Sequence, residues 1–143
     1  MTFRLYLQRS MYAAISLLLA VVLPIGKLAQ AAPLLRCNVT YAGSTHQVLA
    51  RPVADPYGVP SVDIGGRFRF KAVMWGSAHK LKAISLYAYL DSKRQPILIQ
   101  QVKYLPPFKI TSRPYPLTGQ QYLYASNVER ELQYHCTLEG VAP

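Results

Sequence analysis

The stretch ELQYHCTLE, residues 131–139, alternates between apolar and polar side chains and decides the fold class. Its apolar side carries Leu132, Tyr134, Cys136 and Leu138, and its polar side carries glutamate, glutamine, histidine and threonine. A period of two residues is typical of a β-strand that buries one face and exposes the other. The pattern therefore predicts a strand with Cys136 on its buried face.

The stretch LRCNVTY, residues 35–41, has the same period and places Cys37 on its apolar side. Cys37 and Cys136 are the two cysteines of the chain, and two cysteines in an exported protein most simply form one disulfide. We therefore expect the first and last strands either to be neighbours in one sheet or to face each other across the core, with Cα atoms within about 7 Å. Closing so long a loop contributes on the order of 4 to 5 kcal/mol in the chain-entropy model.

The residues before the first strand predict export. Arg4 and Arg9 provide a positively charged start, and an uncharged apolar run follows at residues 11–23. Residues 29–31 read AQA, the small-x-small pattern that signal peptidase accepts. We therefore expect cleavage after Ala31.

A membrane anchor and a lipoprotein are the alternatives to a cleaved signal. As a helix the apolar run reaches only about 20 Å, short of the roughly 30 Å hydrocarbon core of a bilayer. Lipidation at Cys37 needs small residues before it, whereas leucine and arginine stand there. We predict a helical signal peptide at residues 1–31 and a single secreted or periplasmic β domain at residues 32–143, with membrane contact only through the signal peptide before cleavage.

Between the two cysteine strands the sequence stays rich in β patterns, without an amphipathic helical period. The short polar segment at residues 91–95 predicts a hairpin connection, and three prolines in residues 51–60 exclude a central strand there. The expected fold is all-β, a small antiparallel β-sandwich of six or seven strands with one disulfide joining the first and last strands. The internal strands are predicted at residues 48–51, 68–74, 84–90, 97–104 and 121–126.

The chain is basic, with 16 Lys and Arg against 6 Asp and Glu, a net charge of +10. Beyond residue 31 the balance is 13 against 6, so the predicted mature protein keeps a charge of +7. Such a surface favours polyanionic partners such as lipopolysaccharide, teichoic or nucleic acid polymers, or acidic proteins. The alternative is that the charge serves solubility alone.

Basic and aromatic side chains follow the strand period in the middle of the chain. Arg67, Arg69 and Lys71 lie on one face of one strand, about 6.6 Å apart, and Lys80 and Lys82 extend this stripe across the next turn. Arginine in such a stripe binds phosphates in a bidentate way, although a solvated sheet face or a charged edge has the same pattern. Tyr87 and Tyr89 share the next strand's face opposite Leu86 and Ala88, where they either meet a partner or belong to the core.

The segment at residues 105–119 is the predicted functional loop. Four prolines force an extended backbone there, and the loop carries Phe108, Lys109, Arg113 and Tyr115, which are good interface anchors. Long loops in compact domains are often functional. The alternative is a structural crossover between the two sheets, packed by its own aromatic residues.

Catalytic, metal and cofactor signatures are not found in the sequence. His46, His79 and His135 lack the short spacings of metal ligands, no Gly-x-Ser-x-Gly elbow is present, and the predicted disulfide leaves no thiol nucleophile. The sequence also contains no dedicated nucleic-acid motif. We therefore place an enzyme below a binding protein.

Three functions remain in order of preference. The first is an exported binding or accessory module of the cell envelope that contacts an anionic polymer, a lipid head group or an acidic protein through the Arg67 stripe and the proline loop. The second is a structural subunit of a surface or secretion assembly, whose open strand edge pairs with another envelope protein. The third is a metal-dependent or hydrolytic enzyme.

The export hypothesis makes a direct prediction. The protein recovered after export should begin at Ala32, because signal peptidase cleaves after the AQA pattern. N-terminal sequencing of the exported protein tests this. Recovery of a chain that still begins at Met1, or of a lipid-modified Cys37, contradicts it.

Overall fold

The chain forms two β-sheets of five strands each. The structure is a computed structural model that describes residues 32–111, 113–125, 127 and 130–141. The predicted signal peptide at residues 1–31 lies outside these residues, and no helix within them is long and apolar enough to cross a membrane. The strands are β1 (Leu34–Tyr41), β2 (Ser44–Ala50), β3 (Pro52–Val53), β4 (Val62–Ile64), β5 (Phe68–Gly76), β6 (Leu81–Leu90), β7 (Ile97–Tyr104), β8 (Tyr115–Pro116), β9 (Gln121–Ala125) and β10 (Arg130–Glu139).

The first sheet is built from both ends of the chain, in the order β2-β1-β10, with β8 and β9 both pairing with the far edge of β10. The strands β1 and β10 run antiparallel at its centre, and Cys37 lies directly opposite Cys136. The sequence allowed the first and last strands to be neighbours or to face each other, and the structure makes them neighbours.

The disulfide joins two residues that share no backbone hydrogen bond with each other. The Cys136 N–H donates to Thr118 Oγ1 at 2.9 Å and its carbonyl accepts from the Leu117 N–H at 2.9 Å, so both groups point away from β1. Pairs of this kind bring opposite strands closest together, and the two cysteine Cα atoms lie 4.0 Å apart. The predicted disulfide is confirmed, and it is consistent with an oxidising compartment outside the cytoplasm.

The second sheet is built from the middle of the chain, in the order β5-β6-β7, with β3 and β4 both pairing with the free edge of β5. All pairings are antiparallel except β3 with β5. The inward side chains of both sheets form one buried core, which confirms the predicted all-β sandwich. Its large members are Leu35, Val39, Ile64, Phe68, Phe70, Met74, Ile84, Leu86, Leu132, Tyr134 and Leu138.

The seven strands of five or more residues correspond to the predicted ones, and the structure adds three short strands. Two of these, β3 and β8, contain Pro52 and Pro116. Proline has no N–H to donate, so such strands form only at sheet edges and remain short. The strand β2 begins at Ser44, earlier than predicted, because its first residues are polar and exposed and give no apolar alternation.

Tyr134 links the two sheets through both its ring and its hydroxyl. The ring lies 4.9 Å from that of Phe70 in the second sheet, and the hydroxyl donates to Gln100 Oε1 at 2.6 Å. The side chain is fully buried. Burial, with a smaller contribution from the neighbouring Tyr104 phenol, raises the pKa of Tyr134 to about 12.

Replacement of Tyr134 by phenylalanine should lower the free energy of unfolding by about 1 kcal/mol at neutral pH, the usual net value of one hydrogen bond. Unfolded Tyr134 releases its proton near pH 10, whereas folded Tyr134 holds it to about pH 12. The free energy of unfolding of the wild type should therefore fall between these pH values, and its excess over the free energy of unfolding of Tyr134→Phe should become smaller. Urea unfolding of both proteins from pH 8 to 12 measures this, and a constant difference contradicts it.

Candidate binding face of the second sheet

The outer face of the second sheet gathers cations and aromatic rings from three strands. Arg69 lies opposite Tyr89 in the register of β5 and β6, and Lys71 lies opposite Tyr87. No strand of the described chain lies over this side of the sheet, because the first sheet covers the inner side. We call it the basic face and define it by Arg69, Lys71, Trp75, Lys82, Tyr87, Tyr89 and Lys103. Arg67, predicted on the same strand, lies instead in the turn immediately before β5.

Among the described residues, the cations of the basic face have no carboxylate partner within ion-pair distance. In the described residues the ion pair found is Arg36 with Glu139, on the first sheet. Asp63 stands opposite Arg69 in the β4–β5 register, but the Arg69 guanidinium donates instead to the hydroxyl and carbonyl of Ser61, at 2.8 and 3.3 Å. The face therefore presents positive charge that no acidic side chain of the described ranges neutralises through an ion pair.

The charge of the whole chain is concentrated in this half of the sandwich. Residues 51–104, which contain the second sheet, hold nine of the 13 basic residues beyond position 31 and three of the six acidic ones. This segment therefore carries +6 of the +7 net charge. A field of one sign on one side of a small protein attracts and orients anionic partners.

Two of the lysines lie against aromatic rings. The Lys71 Nζ is 5.6 Å from the centroid of the Tyr87 ring, and the Lys82 Nζ is 4.7 Å from that of Trp75. The rings of Tyr87 and Tyr89 are nearly parallel, with centroids 6.3 Å apart. Partial burial, and secondarily the nearby Tyr87 phenol, raises the pKa of Tyr89. The rings and ammonium groups therefore form one continuous surface.

Lys82 reaches this face because of a bulge between β5 and β6. Trp75 pairs with Ala83 and Gly76 with Leu81, so Lys82 is an extra residue on its strand. Gly76 has φ of +135°, and a Cβ there would lie 2.3 Å from the Lys80 carbonyl oxygen. Glycine at position 76 is thus what permits the tight turn. Lys80, also predicted as part of the stripe, lies exposed in this turn.

Three small side chains on the outer side of the second sheet are covered by their neighbours. Val73, Ala83 and Ser85 are only 3%, 2% and 7% exposed, although none of them belongs to the core between the sheets. Val73 and Ser85 lie opposite each other, and Lys103 of β7 lies on the other side of Ser85. Larger side chains on the same face therefore cover these three residues.

The proline loop connects the second sheet to the first. Phe108 and Tyr115 are half-buried and pack against the core, and Tyr115 begins β8. The Lys109 N–H donates to the Tyr115 hydroxyl at 3.2 Å, and the Lys109 Nζ lies 5.7 Å from the Tyr115 ring. Lys109 and Arg113 are exposed. The loop is thus a crossover packed by its own aromatic residues, and a binding role for it stays a prediction.

The outer face of the first sheet differs from the basic face because its polar groups are paired with each other. Arg36 forms its ion pair with Glu139 at 3.6 Å. Asn38 Nδ2 and His135 Nε2 lie 3.1 Å apart, and the Tyr124 hydroxyl donates to Glu131. Groups that satisfy one another leave less hydrogen-bonding capacity for a partner.

The described residues contain no cluster of three His, Cys, Asp or Glu side chains that could hold a metal ion. His135 lies on the outer face of the first sheet beside Asn38. His46 belongs to β2 of the same sheet, and His79 lies in the turn between β5 and β6 of the second. The structure therefore does not bring the three histidines together.

The sequence interpretation missed Trp75, Lys103 and Ser85 as members of this surface. Trp75 continues the alternation of Arg69 and Lys71 along β5, so the period of two contained a signal for it. Ser85 likewise continues the alternation of Tyr87 and Tyr89 along β6, whereas Lys103 carried no such signal, because its place beside Ser85 depends on the register between two strands.

Trp75 is the single tryptophan of the chain and reports on this face. Lys82 lies over the Trp75 ring, so its positive charge should attract iodide to that ring. We therefore expect the ratio of iodide quenching to acrylamide quenching of the Trp75 fluorescence to be higher in the wild type than in Lys82→Gln. Stern–Volmer titrations at low salt measure the ratio. Lys109→Gln, a lysine stacked on Tyr115, is the matched control and should leave it unchanged. An equal ratio in wild type and Lys82→Gln contradicts the placement of Lys82.

Known proteins offer no guide to this surface. No protein-family model matches the chain, and no curated protein or solved structure does either. The function is therefore inferred from the chemistry of the basic face.

Proposed function

We propose that this protein is an exported, periplasmic or secreted, binding module that holds an anionic polymer of the cell envelope on the basic face. The observation that carries the proposal is a group of cations that have no carboxylate partner in the part of the chain that the structure describes, on a sheet side that no strand of that part covers. Export is supported by the predicted signal peptide and by a disulfide that suits an oxidising compartment.

A polymer suits this face better than a small anion does. Arg69 and Lys71 lie about 6.6 Å apart along β5, Arg67 lies in the turn immediately before that strand, and Lys103 adds a cation two strands away. Such a row meets several charges of one extended chain at once, and each contact releases a counterion. The binding is therefore expected to weaken steeply with salt.

A second candidate function is a structural subunit that pairs through an open sheet edge. The strand β7 is eight residues long, lies at the end of its sheet, and exposes half of the surface of Ile97 and Leu98. Edges of this kind are templates for another strand. Co-purification with a fixed partner that survives high salt favours this function over polyanion binding.

Retention on heparin tests the proposed function, with two variants of equal net charge. Arg67→Gln, Arg69→Gln and Lys71→Gln together should reduce the slope of log affinity against log salt by about three, roughly one per removed contact. Lys109→Gln, Arg113→Gln and Arg130→Gln remove the same charge from the loop and the first sheet and should change the slope little.

The comparison distinguishes three causes of retention on heparin: the basic face, the net charge of the protein and the proline loop. Equal losses in both triple variants mean that net charge alone causes retention. A larger loss in the second variant moves the site to the proline loop. Thermal unfolding of each variant confirms that the fold is intact.

A further inference from the structure

One end of the sandwich is formed by two proline-rich loops and a tight turn. The chain crosses here from β2 in the first sheet to β3 in the second, and β3 pairs with Met74 and Trp75 near the end of β5, just before the turn into β6. The proline loop lies at the same end, because its Thr111 pairs with Val141 just beyond β10. We call this end the loop end.

The loop between β3 and β4 reverses its direction at the loop end. The strand β3 runs beside β5 as far as Trp75, and β4 returns opposite Phe70. At about 3.3 Å per residue, this return of roughly 17 Å takes about five residues, which puts the reversal near Tyr57. The Tyr57 N–H donates to Asp55 Oδ1 at 2.9 Å and closes the turn. The side chain of Tyr57 is 91% exposed, so its ring protrudes from the loop end.

The proline loop exposes two further apolar side chains. Leu105 is 65% and Ile110 is 60% exposed, although Tyr104 and Phe108 close to them pack against the core. Among the large apolar side chains of the described ranges, three of the four most exposed are thus at the loop end. Exposed apolar side chains that are concentrated in one place mark an interaction surface.

Positive charge surrounds these three apolar side chains. The acidic residues that the described chain places at the loop end are Asp55 and Glu139, and Glu139 already pairs with Arg36. The basic residues at this end number six, and all are exposed: Arg51, Lys80, Lys82, Lys103, Lys109 and Arg113. The loop end therefore combines protruding apolar groups with an excess of cations.

We infer that the loop end docks on an anionic lipid surface, a partner beyond the polymer proposed for the basic face. Tyr57, Leu105 and Ile110 enter the boundary between head groups and acyl chains, and the six cations contact the lipid phosphates. Binding of this kind sums the buried apolar area and the attraction to anionic lipids. Tyrosine suits the boundary because its ring is apolar and its hydroxyl stays in water. The sequence alone limited membrane contact to the signal peptide, and this inference adds a contact by the β domain.

The arrangement favours a lipid surface over a soluble polyanion or a protein. A soluble polyanion accounts for the cations but leaves Leu105 and Ile110 without an apolar contact. The centre of a protein interface is depleted of charged residues, whereas here Lys109 lies between the two aliphatic residues and the apolar side chains belong to separate loops. A lipid surface meets separate loops at once and offers phosphate beside hydrocarbon at every point.

Vesicle binding tests this inference with two triple variants that keep the net charge. The loop-end variant is Tyr57→Ser, Leu105→Ser and Ile110→Ser. The matched control removes the same residue types from exposed positions elsewhere on the sandwich and is Tyr122→Ser, Leu98→Ser and Ile97→Ser. Wild type should bind vesicles of equal phosphatidylglycerol and phosphatidylcholine at least about tenfold more tightly than vesicles of phosphatidylcholine alone. The loop-end variant should lose at least about tenfold of that affinity, since three apolar side chains no longer leave water, and the control should stay within about twofold.

Retention on heparin of the same proteins separates this inference from the proposed function. Neither triple variant changes a charge or a residue of the basic face, so the slope of log affinity against log salt should stay that of wild type. Thermal unfolding, and mass spectrometry of the disulfide, establish the fold of each variant.

A positional probe keeps the test decisive if a triple variant is unstable. Leu105→Trp places a fluorophore at the loop end, and Leu98→Trp places one near the opposite end of β7. Both retain the same contribution from Trp75. Vesicles with brominated acyl chains should quench the fluorescence of Leu105→Trp more strongly than that of Leu98→Trp.

Several outcomes overturn the lipid contact and leave polyanion binding standing where heparin retention persists. These are absence of vesicle binding, equal affinity for the two vesicle types, equal affinity of the two triple variants, and equal quenching of the two tryptophan variants. Absence of salt-sensitive retention of the wild type on heparin, with vesicle binding as expected, overturns the proposed function and leaves the lipid contact supported.

Discussion

The pairing of β1 with β10, fixed by the Cys37–Cys136 bond, is the constraint on which the rest of the structure depends. The second sheet forms from consecutive hairpins, since β4, β5, β6 and β7 follow one another and pair in turn. The first sheet instead needs two strands whose cysteines are 99 residues apart. Bringing them together costs loop-closure entropy, and a covalent bond there removes much of that cost from the unfolded state. The first sheet, once its two central strands are joined, thus covers the apolar face of the second sheet.

The division into a sheet from the chain ends and a sheet from the chain middle also separates the charge. The positive residues are concentrated in the middle segment, and that segment forms the basic face. On the first sheet the polar side chains pair with one another, as Arg36 does with Glu139. The outer face of the first sheet therefore has paired polar and charged groups, whereas the outer face of the second sheet keeps cations that have no paired carboxylate among the described residues.

Strand alternation predicted much of the fold from the residues alone. The cysteine strands, the Arg69–Lys71 strand and its two successors lie where the pattern placed them, because a half-buried strand must alternate. The short strands β3 and β8 escaped prediction since two residues contain no period, whereas β9 was predicted at a run that is rich in tyrosine, a residue that favours strands. The candidate site was predicted only in part: the sequence places Arg69 and Lys71 on one side of one strand, whereas the position of Lys103 beside Ser85 depends on the register between β6 and β7.

The sequence by itself determined the fold class, the inward direction of both sulfurs, the basic charge and the polar side of the strand that carries Arg69 and Lys71, because these follow from composition and from the two-residue period along a strand. Only the tertiary structure decided that the cysteines are neighbours within one sheet, that Arg69 and Lys71 share a face with Tyr87 and Tyr89, and that Lys82 lies over the Trp75 ring. These depend on how strands align side by side, and a period along one strand carries no information about the register with the next.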